Sequence, residues 1–371
     1  MPRSSSVLLL IPHLGGGGAE RVTELLARNL SMDEHEIHLC LITQAAVDSV
    51  SLPRHLTVHA LGAKRVRHAV VQLVLLIWRL RPAVIFSGIA HLNLLVLLLS
   101  PLFPRQTRVF VRQNGPVSAT LATSNSSRTL RLVYRLLYRK ADQVICQSRA
   151  MAREVSEFTG IPMESLAVLA NPIDIDAIRA TSYHSVAEWT GPGPHLLAVG
   201  RLSREKGFDL LLRAFAEVKL QFPTADLAIA GAGPEKPALE ELSEKLELSR
   251  AVRFLGQVEN PAIGFPGASM LVISSRYEGL PNAMLEAAAG GLPIVAVPAS
   301  EGLLELLDGQ PGVWLASDVS SESLAESLMT ALKTIRPGQR FAHSWIEVFG
   351  LRQSIQTYKE LFDSAARMRA A

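Results

Sequence analysis

The sequence of 371 residues has two cysteines, few aromatic residues and no long apolar run. Cys40 and Cys146 lie in apolar segments without a Cys-x-x-Cys pair or a neighbouring histidine, so neither a disulfide framework nor a zinc site is indicated. No segment offers the roughly 18 uninterrupted apolar residues of a membrane span, although the mean hydropathy is high at +0.23. The apolar segments at residues 69–78 and 92–103 predict buried helices instead. The apolar run at residues 7–11 is too short for a secretion signal, which predicts a cytoplasmic protein.

Acidic residues are absent from one long stretch of the first half. Residues 49–141 hold 14 lysines and arginines and no aspartate or glutamate, which predicts a strong positive potential there. Nucleic acid, lipid headgroups and a phosphorylated acceptor are the anionic partners that suit it. Because the basic residues alternate with aliphatic runs rather than aromatic platforms, an anionic membrane surface is favoured over nucleic acid. We therefore expect a peripheral position on the inner face of the cytoplasmic membrane; a merely solvated basic surface is the alternative.

Short apolar strands alternate with helical segments along the chain, which has 48% hydrophobic and 19% charged residues. This alternation predicts an α/β fold with parallel sheets covered by helices on both faces. It pauses in a polar stretch at residues 180–194 and then restarts, so two Rossmann-like, doubly wound domains are predicted. We place the first at residues 1–178 and the second at residues 179–342. An amphipathic helix within residues 343–371 follows, and we expect it to pack back on the first domain.

Four consecutive glycines, residues 15–18, separate the first predicted strand from a helix. Glycine lets backbone N–H groups approach a ligand closely, and the N-terminus of the following helix favours negative charge, so Gly17 and Gly18 could hold a phosphate. A Walker A loop is excluded because Ala19 and Glu20 follow instead of lysine and serine or threonine. A dinucleotide fingerprint is not met either, because the second strand ends without an acidic residue. A flexible turn is the alternative.

The second domain opens with the same strand and loop, but this loop is cationic. Gly200 and Arg201 follow the predicted strand, and Lys206 lies further along the loop. Since α/β folds bind ligands at the carboxyl ends of their strands, the two cations could bracket a diphosphate. Two solvated loop charges are the alternative.

A third motif joins a strand that ends at Ser274 to a helix that we expect to begin at Pro281 and to end at Gly290. The free amides at the N-terminus of this helix can hold phosphate oxygens. Glu278 before the helix and Glu286 within it can accept hydrogen bonds from hydroxyls, one carboxylate for each of two sugars. Helix capping with a surface glutamate is the alternative.

Together these motifs resemble those of the retaining GT-B glycosyltransferases of family 4, over essentially the whole chain. The shared elements are Glu278 and Glu286 with Gly279-Leu280-Pro281-Asn282 between them, Gly200-Arg201, Lys206-Gly207, Gly231-Ala232-Gly233-Pro234, residues 17–21, residues 141–145 with Ser148, and residues 171–174. The resemblance implies two Rossmann-like domains that face each other across a cleft. It also implies sugar transfer from a nucleotide sugar with retention of anomeric configuration, with no metal and no other cofactor.

The resemblance further implies residue roles. Arg201 and Lys206 would neutralise the donor diphosphate, Glu278 would contact the donor sugar as the third catalytic residue, and Glu286 would hold the ribose. The other donor-binding positions would be Gly17, Gly18, Gly200, Gly231, Gly233, Gly279, Leu280, Pro281 and Asn282.

One position departs from the family pattern. Many relatives carry a histidine after the strand predicted at residues 108–112, where this chain has Gln113. Gln113 could still bond a sugar or phosphate oxygen. His13 beside the glycine loop and His91 after another strand are further candidates to face the sugar or the acceptor, and a structural histidine is the alternative for both.

The expected function is therefore a hexosyl- or N-acetylhexosaminyl-transferase of cell-envelope or exopolysaccharide assembly. We expect it to use a UDP-linked sugar and a glycan or polyprenyl-linked acceptor. Two other functions on this fold stay open. The first is a catalytically silent nucleotide-sugar-binding subunit, which Gln113 makes conceivable; the second is a nucleotide-sugar 2-epimerase, for which no acid and base are identified.

Overall fold

The computed structural model describes residues 5–14, 17–30, 35–43, 52–53, 56–122, 127–184, 189, 191–258 and 267–367. The chain divides into two compact units. Unit 1 combines Met1–Pro172 with Leu351–Ala371, and unit 2 comprises Ile173–Gly350. Each unit is a parallel sheet with connecting helices, so both have the predicted α/β architecture.

Unit 1 has a seven-stranded sheet in the order β3-β2-β1-β4-β5-β6-β7. Its strands are β1 (Ser5–Ile11), β2 (His35–Leu41), β3 (Thr57–Ala60), β4 (Val84–Ser87), β5 (Arg108–Gln113), β6 (Gln143–Cys146) and β7 (Leu166–Val168). Its helices are α1 (Gly18–Asn29), α2 (Val70–Leu80), α3 (Ala90–Leu99), α4 (Val117–Ala122), α5 (Ser127–Tyr138), α6 (Arg149–Thr159) and α13 (Leu351–Arg367). Because neighbouring strands are parallel, their carboxyl ends lie at one edge of the sheet.

The sheet of unit 1 is buried on both faces, which explains why its strands are continuous apolar runs. Leu8 and Leu10 of β1 belong to a core that also contains residues of α2, α3, α5 and α6. The alternate residues of β1 belong to a second core on the opposite face, with α1 and α13. Tyr358 and Phe362 of α13 are fully buried there, each with its ring 6.0 Å from the ring of Phe86. The C-terminal helix is therefore part of the core of unit 1.

Unit 2 has a six-stranded sheet in the order β10-β9-β8-β11-β12-β13. Its strands are β8 (His195–Val199), β9 (Asp226–Ala230), β10 (Val252–Gly256), β11 (Met270–Ile273), β12 (Ile294–Ala296) and β13 (Val313–Leu315). Its helices are α7 (Ile175–His184), α8 (Phe208–Gln221), α9 (Lys236–Lys245), α10 (Asn282–Ala289), α11 (Glu301–Leu307) and α12 (Ser321–Thr334).

Three sequence predictions are corrected here. The polar stretch at residues 180–194, predicted to separate the two domains, begins inside α7, because it continues a helix that packs against α10. The predicted domain limit after residue 178 falls within the same helix, and the limit after residue 342 precedes a 3-10 helix, Ser344–Phe349, that stays in unit 2.

The two apolar segments of the first half form α2 and α3, as predicted, but these helices are not buried all round. Leu73 and Ile77 of α2 are fully buried, whereas Val71 and Leu75 are 69% and 64% exposed. Only one side of α2 contacts the core of unit 1. Within the described part of the chain, no helix is long and apolar enough to cross a membrane.

Candidate functional site

The carboxyl edge of the unit 2 sheet gathers the predicted donor residues of that unit. Strands β9, β8 and β11 are neighbours, and their carboxyl ends lead directly into the three loops that the sequence singled out. These loops contain Gly200, Arg201 and Lys206 after β8, Gly231 and Gly233 after β9, and Glu278, Gly279, Leu280 and Pro281 after β11. Residues that are distant in sequence thereby meet at one edge, the place where parallel α/β sheets bind ligands.

A lysine and a glutamate from two of these loops are in direct contact. The Nζ atom of Lys206 donates a hydrogen bond to Oε1 of Glu278. The same oxygen accepts a second hydrogen bond from Oγ of Ser275, at 3.0 Å. The side chains of Lys206 and Glu278 are 23% and 13% exposed, so water screens this pair less than a surface pair. The edge thus carries a cation and a carboxylate that neutralise each other.

Two glycines permit this close approach of the loops. Gly207 has φ +62°, and a Cβ atom there would lie 2.0 Å from the carbonyl oxygen of Ser274. Gly231 has φ +148°, and its Cβ would lie 1.8 Å from the carbonyl oxygen of Gly200. No other residue fits either position without moving a backbone carbonyl. The carbonyl of Lys206 also accepts a hydrogen bond from Oγ of Ser274 at 2.9 Å, which fixes the loop after β8 against the end of β11.

The Gly207→Ala variant should lose more stability than a glycine variant with backbone strain alone. The matched control is Gly309→Ala, because Gly309 has φ +68° but nothing within 4 Å of its Cβ position. We expect the control to lose about 1 kcal/mol from the left-handed backbone, and Gly207→Ala to lose about 1–3 kcal/mol more from the contact with Ser274. Urea unfolding of the two variants measures the difference, and equal losses would contradict the tight loop contact.

Arg201 and Arg276 occupy different environments at this edge. The Arg201 side chain is exposed, and within the described residues it is paired with no carboxylate. Arg276 instead donates to both carboxylate oxygens of Asp209, at 2.7 and 2.6 Å. Partial burial of Asp209 opposes its ionisation, yet the hydrogen bonds and the charge of Arg276 keep its pKa below the ordinary value. Arg276 therefore fixes the loop that carries Glu278, a role that sequence reasoning missed, whereas Arg201 is available to a ligand.

The two glutamates of the third motif lie in different surroundings. Helix α10 follows Pro281, which occupies the N-cap position rather than the first helical position, and it ends before Gly290 as predicted. Glu286, in the second turn, is only 3% exposed, and Gly279 and Leu280 are buried too, while Asn282 is half-buried. Glu278 is the glutamate in contact with the cation, and Glu286 belongs to the interior of the loop and helix.

The carboxyl edge of the unit 1 sheet holds a second group of predicted residues. His13 follows β1, His91 follows β4, and the two strands are neighbours. Gly17 and Gly18 lie at the N-terminus of α1, with Gly17 as the N-cap, whereas residues 15 and 16 of the glycine run lie outside the described residues. Partial desolvation of the ring lowers the pKa of His91, against the opposing effect of the Glu20 carboxylate. The side chains of His13 and His91 are both exposed.

Gln113 does not face a ligand. Its side chain is 2% exposed, and its Nε2 donates to the carbonyl oxygen of Gly115 at 2.6 Å. Its Oε1 accepts a hydrogen bond of 2.5 Å from the hydroxyl of Tyr138. The expectation of a sugar-facing glutamine is therefore corrected: the end of β5 turns this amide into the interior of unit 1, where both of its ends are engaged.

The adjacent residue, Arg112, is fully buried and was missed by sequence reasoning. Its Nε donates to the hydroxyl of Tyr358 at 2.9 Å, and its two other nitrogens donate to the side-chain oxygens of Asn114 and Asn171. These three partners are neutral oxygens. An arginine inside an apolar strand must find such partners in the interior, so the sequence carried a signal for this network. Arg112 ties α13 to the end of β5 and to the Asn-Pro motif of unit 1.

Groups of three or more histidine, cysteine, aspartate or glutamate side chains with the geometry for a metal ion do not occur among the described residues.

The chain matches known proteins over nearly its whole length. Residues 182–346 match the family model described as glycosyl transferases group 1, and residues 16–177 match the one described as glycosyltransferase family 4. A relative in Campylobacter jejuni, the N-acetylgalactosamine-N,N'-diacetylbacillosaminyl-diphospho-undecaprenol 4-alpha-N-acetylgalactosaminyltransferase, is 27% identical over 338 residues, which cover 88% of this chain and 89% of that enzyme. The chain spans about half the length or less of several other curated relatives that it matches.

Solved structures share the fold. Sucrose-phosphate synthase from Thermosynechococcus elongatus superposes with a TM-score of 0.81 at 18% identity, covering 97% of this chain and 100% of that one. Anabaena HepE in complex with UDP-glucose superposes with a TM-score of 0.78 at 19% identity, covering 98% of this chain and 99% of that one. At these identities the likeness shows the fold alone.

Proposed function

Because the chain belongs to the family 4 glycosyltransferases of the GT-B fold, we propose that it transfers a sugar from a UDP-linked donor to a lipid-linked glycan acceptor of the cell envelope. The observation that carries the proposal is the contact between Lys206 and Glu278 at the carboxyl edge of unit 2. A nucleoside diphosphate needs a cation and close backbone approach, and this edge supplies both. Arg201 offers a second cation on the same loop.

The charges at this edge suit the departure of a nucleoside diphosphate. When the bond between the anomeric carbon and the β-phosphate oxygen breaks, negative charge builds on that phosphate and positive charge on the sugar ring. Lys206 and Arg201 stabilise the first charge and the carboxylate of Glu278 stabilises the second, more strongly in the transition state than in the ground state. The acceptor hydroxyl oxygen bonds to the anomeric carbon from the side that the phosphate leaves, and its proton passes to the departing phosphate oxygen. The anomeric configuration is thereby retained.

No metal ion is required in this proposal. In other transferases a divalent cation neutralises the diphosphate. Here Lys206 and Arg201 carry out that neutralisation, and Glu278 keeps Lys206 in place at the strand end until the donor displaces it. The donor complex of Anabaena HepE supports a UDP-linked sugar.

A lipid-linked acceptor is supported by two observations. The Campylobacter jejuni relative, whose name specifies a diphospho-undecaprenol-linked acceptor, aligns with most of this chain. Residues 49–141 contain lysines and arginines but no acidic residue, which suits an acceptor that carries a diphosphate and is held at an anionic membrane. The proposal therefore places the protein at the inner face of the cytoplasmic membrane, where hexosyl or N-acetylhexosaminyl units are added to such acceptors.

The purified protein, incubated with a panel of UDP- and GDP-linked hexoses and N-acetylhexosamines, tests the proposal. We expect UDP release from one donor, increased by a polyprenyl-diphosphate-linked glycan and unchanged by EDTA. Release that EDTA abolishes would refute metal independence. The absence of release and of transfer with every donor and acceptor, despite measurable UDP binding, would replace the proposal with a silent nucleotide-sugar-binding subunit.

A further inference from the structure

The exposed apolar side chains of unit 1 are concentrated on one layer of helices. Among the described residues, 14 large apolar side chains are exposed, and seven of them lie on α2, α3, α5 or the short 3-10 helix after α3. These seven are Val71, Leu75, Trp78, Leu98, Leu102, Leu132 and Leu136. Concentration of this kind marks an interaction surface rather than the normal scatter of exposed apolar residues. We call these seven residues the apolar face.

The apolar face is continuous because its helices are neighbours. Helices α2, α3 and α5 pack on the same side of the unit 1 sheet, through one shared core. The indole nitrogen of Trp78 on α2 donates a hydrogen bond of 2.9 Å to the carbonyl oxygen of Leu102, and α3 packs against α5. Spacing along α5 also fits one surface, since Leu132 and Leu136 are four residues apart on that helix.

Positive charge surrounds the apolar face. Arg128, Arg131 and Arg135 are exposed on α5 beside its two leucines, and Arg79 is exposed next to Trp78 on α2. Arg67, Arg81, Arg105, Arg139 and Lys140 are exposed at the ends of the same helices. The whole stretch from residue 49 to residue 141 contains no acidic side chain that could neutralise them.

We infer that the apolar face is a membrane-docking surface for an anionic lipid bilayer. Leucine and valine side chains enter the acyl region, tryptophan sits at the headgroup level, and arginines extend their charged ends to lipid phosphates. A second copy of the chain suits the face poorly. A two-fold contact joins the same surface of both copies, so the arginines around the apolar face of one copy would lie near those of the other and repel them. This inference deepens the proposed use of a lipid-linked acceptor and rests on it for its biological purpose.

The docked arrangement would bring the carboxyl edge of the unit 1 sheet, where the proposed acceptor would bind, close to the lipid. Helices α2, α3 and α5 run along one side of the sheet, so the sheet would lie one helix layer, about 10 Å, above the headgroups. Ligands would then approach its carboxyl edge, which carries His13, Gly17 and His91, along a direction parallel to the membrane surface. A diphosphate attached to a membrane lipid would then cross about one helix layer to reach that edge, while its lipid chain stays in the bilayer.

Vesicle cosedimentation of the full chain tests the inference. We expect binding to phosphatidylcholine vesicles that contain about one third phosphatidylglycerol, weaker binding at high salt, and little binding to phosphatidylcholine alone. Docking should also shift the fluorescence of Trp78 to shorter wavelength, and Trp78→Phe should remove that shift. Equal binding to both kinds of vesicle, or binding to neither, would overturn the inference.

Matched variants locate the surface. The double variant Leu75→Gln with Leu132→Gln should lower the affinity for vesicles at least tenfold. The double variant Arg131→Gln with Arg135→Gln should lower it about fivefold for each positive charge removed. The controls are Leu220→Gln and Arg213→Gln on α8 of unit 2, both exposed residues, which should bind as the unaltered protein does. Variants of the apolar face that bind vesicles as well as the controls do would refute the assignment.

Two further readouts separate this inference from the proposed function. Both variants of the apolar face should retain the UDP affinity of the unaltered protein, because they leave unit 2 unchanged. Sugar transfer to a soluble acceptor without vesicle binding would leave the proposed chemistry intact and overturn the docking surface. Vesicle binding without any donor hydrolysis or transfer would support the docking surface and overturn the proposed chemistry. A light-scattering mass of two chains that falls to one in the leucine variant, without vesicle binding, would assign the face to a second copy.

Discussion

Glu278→Gln should reduce turnover by about 10²–10³-fold while leaving the affinity for free UDP unchanged or higher. Glutamine keeps the size of the side chain and removes only its charge. The loss of turnover is expected because, in the proposed mechanism, the carboxylate stabilises positive charge on the sugar ring. It also holds Lys206 at the strand end. Steady-state kinetics with the preferred donor measures the effect, which should appear in kcat more than in KM.

The control for this variant is Glu241→Gln. Glu241 pairs with Lys245 on the solvent side of α9, with both side chains more than 60% exposed, so its neutralisation should leave kcat unchanged. If Glu278→Gln turned over as fast as Glu241→Gln, Glu278 would have no role in the chemistry, and its contact with Lys206 would be an ordinary ion pair.

Lys206→Ala should also lower kcat by about 10²–10³-fold, for a different reason. The variant removes the cation that, in the proposed mechanism, faces the departing phosphate. Among the described residues it leaves Ser275 as the one hydrogen-bond partner of the Glu278 side chain. The remaining carboxylate would then repel the diphosphate that Lys206 attracts in the unaltered protein.

Lys245→Ala, which removes the exposed lysine of α9, is the matched control and should have normal kinetics. Lys206→Arg should recover part of the activity, because the charge returns although the geometry changes. Full activity in Lys206→Ala would indicate that Arg201 or the backbone amides, rather than Lys206, bind the diphosphate. Equal inactivity of Lys206→Arg and Lys206→Ala would indicate that lysine geometry, rather than charge, is needed.

The α/β architecture and the positions of the motifs could be predicted because they depend on local patterns. Short apolar runs followed by polar loops that contain glycine define β8 and β11. Parallel strands bring their carboxyl ends together whatever the exact register. The two-domain fold and the family were confirmed by the structure and by the matches to known proteins. The strands β3 and β13 were missed because they lie at the edges of their sheets and are only partly buried, so their sequences lack the longer apolar runs of the central strands.

The contacts within the site could not be predicted because they depend on distances between loops. Lys206 and Glu278 are 72 residues apart, and their contact needs the observed pairing of β8 with β11, in which Leu197 lies beside Leu271. The pairing of Arg276 with Asp209 has the same origin. Gln113 shows the opposite case, since its place in the sequence suggested a ligand contact, while the direction of its side chain at the end of β5 puts it in the interior.

The outer side of α2 illustrates a further limit of sequence reasoning. A run with apolar residues on all sides predicts a helix buried all round, which is correct for Leu73 and Ile77 but wrong for Val71, Leu75 and Trp78. The absence of acidic residues around this run is the sequence feature that agrees with the inferred anionic partner on its exposed side.

Calorimetric titration of UDP into the unaltered protein, Glu278→Gln and Lys206→Ala tests the central claim most directly, namely that Lys206 passes from Glu278 to the donor diphosphate. The account predicts opposite effects. Affinity should be equal or higher in Glu278→Gln, because Lys206 no longer has a competing carboxylate. Affinity should fall about 10- to 100-fold in Lys206→Ala, which loses a charge-assisted hydrogen bond. Unchanged affinity in Lys206→Ala, or an equal loss in both variants, would contradict the account.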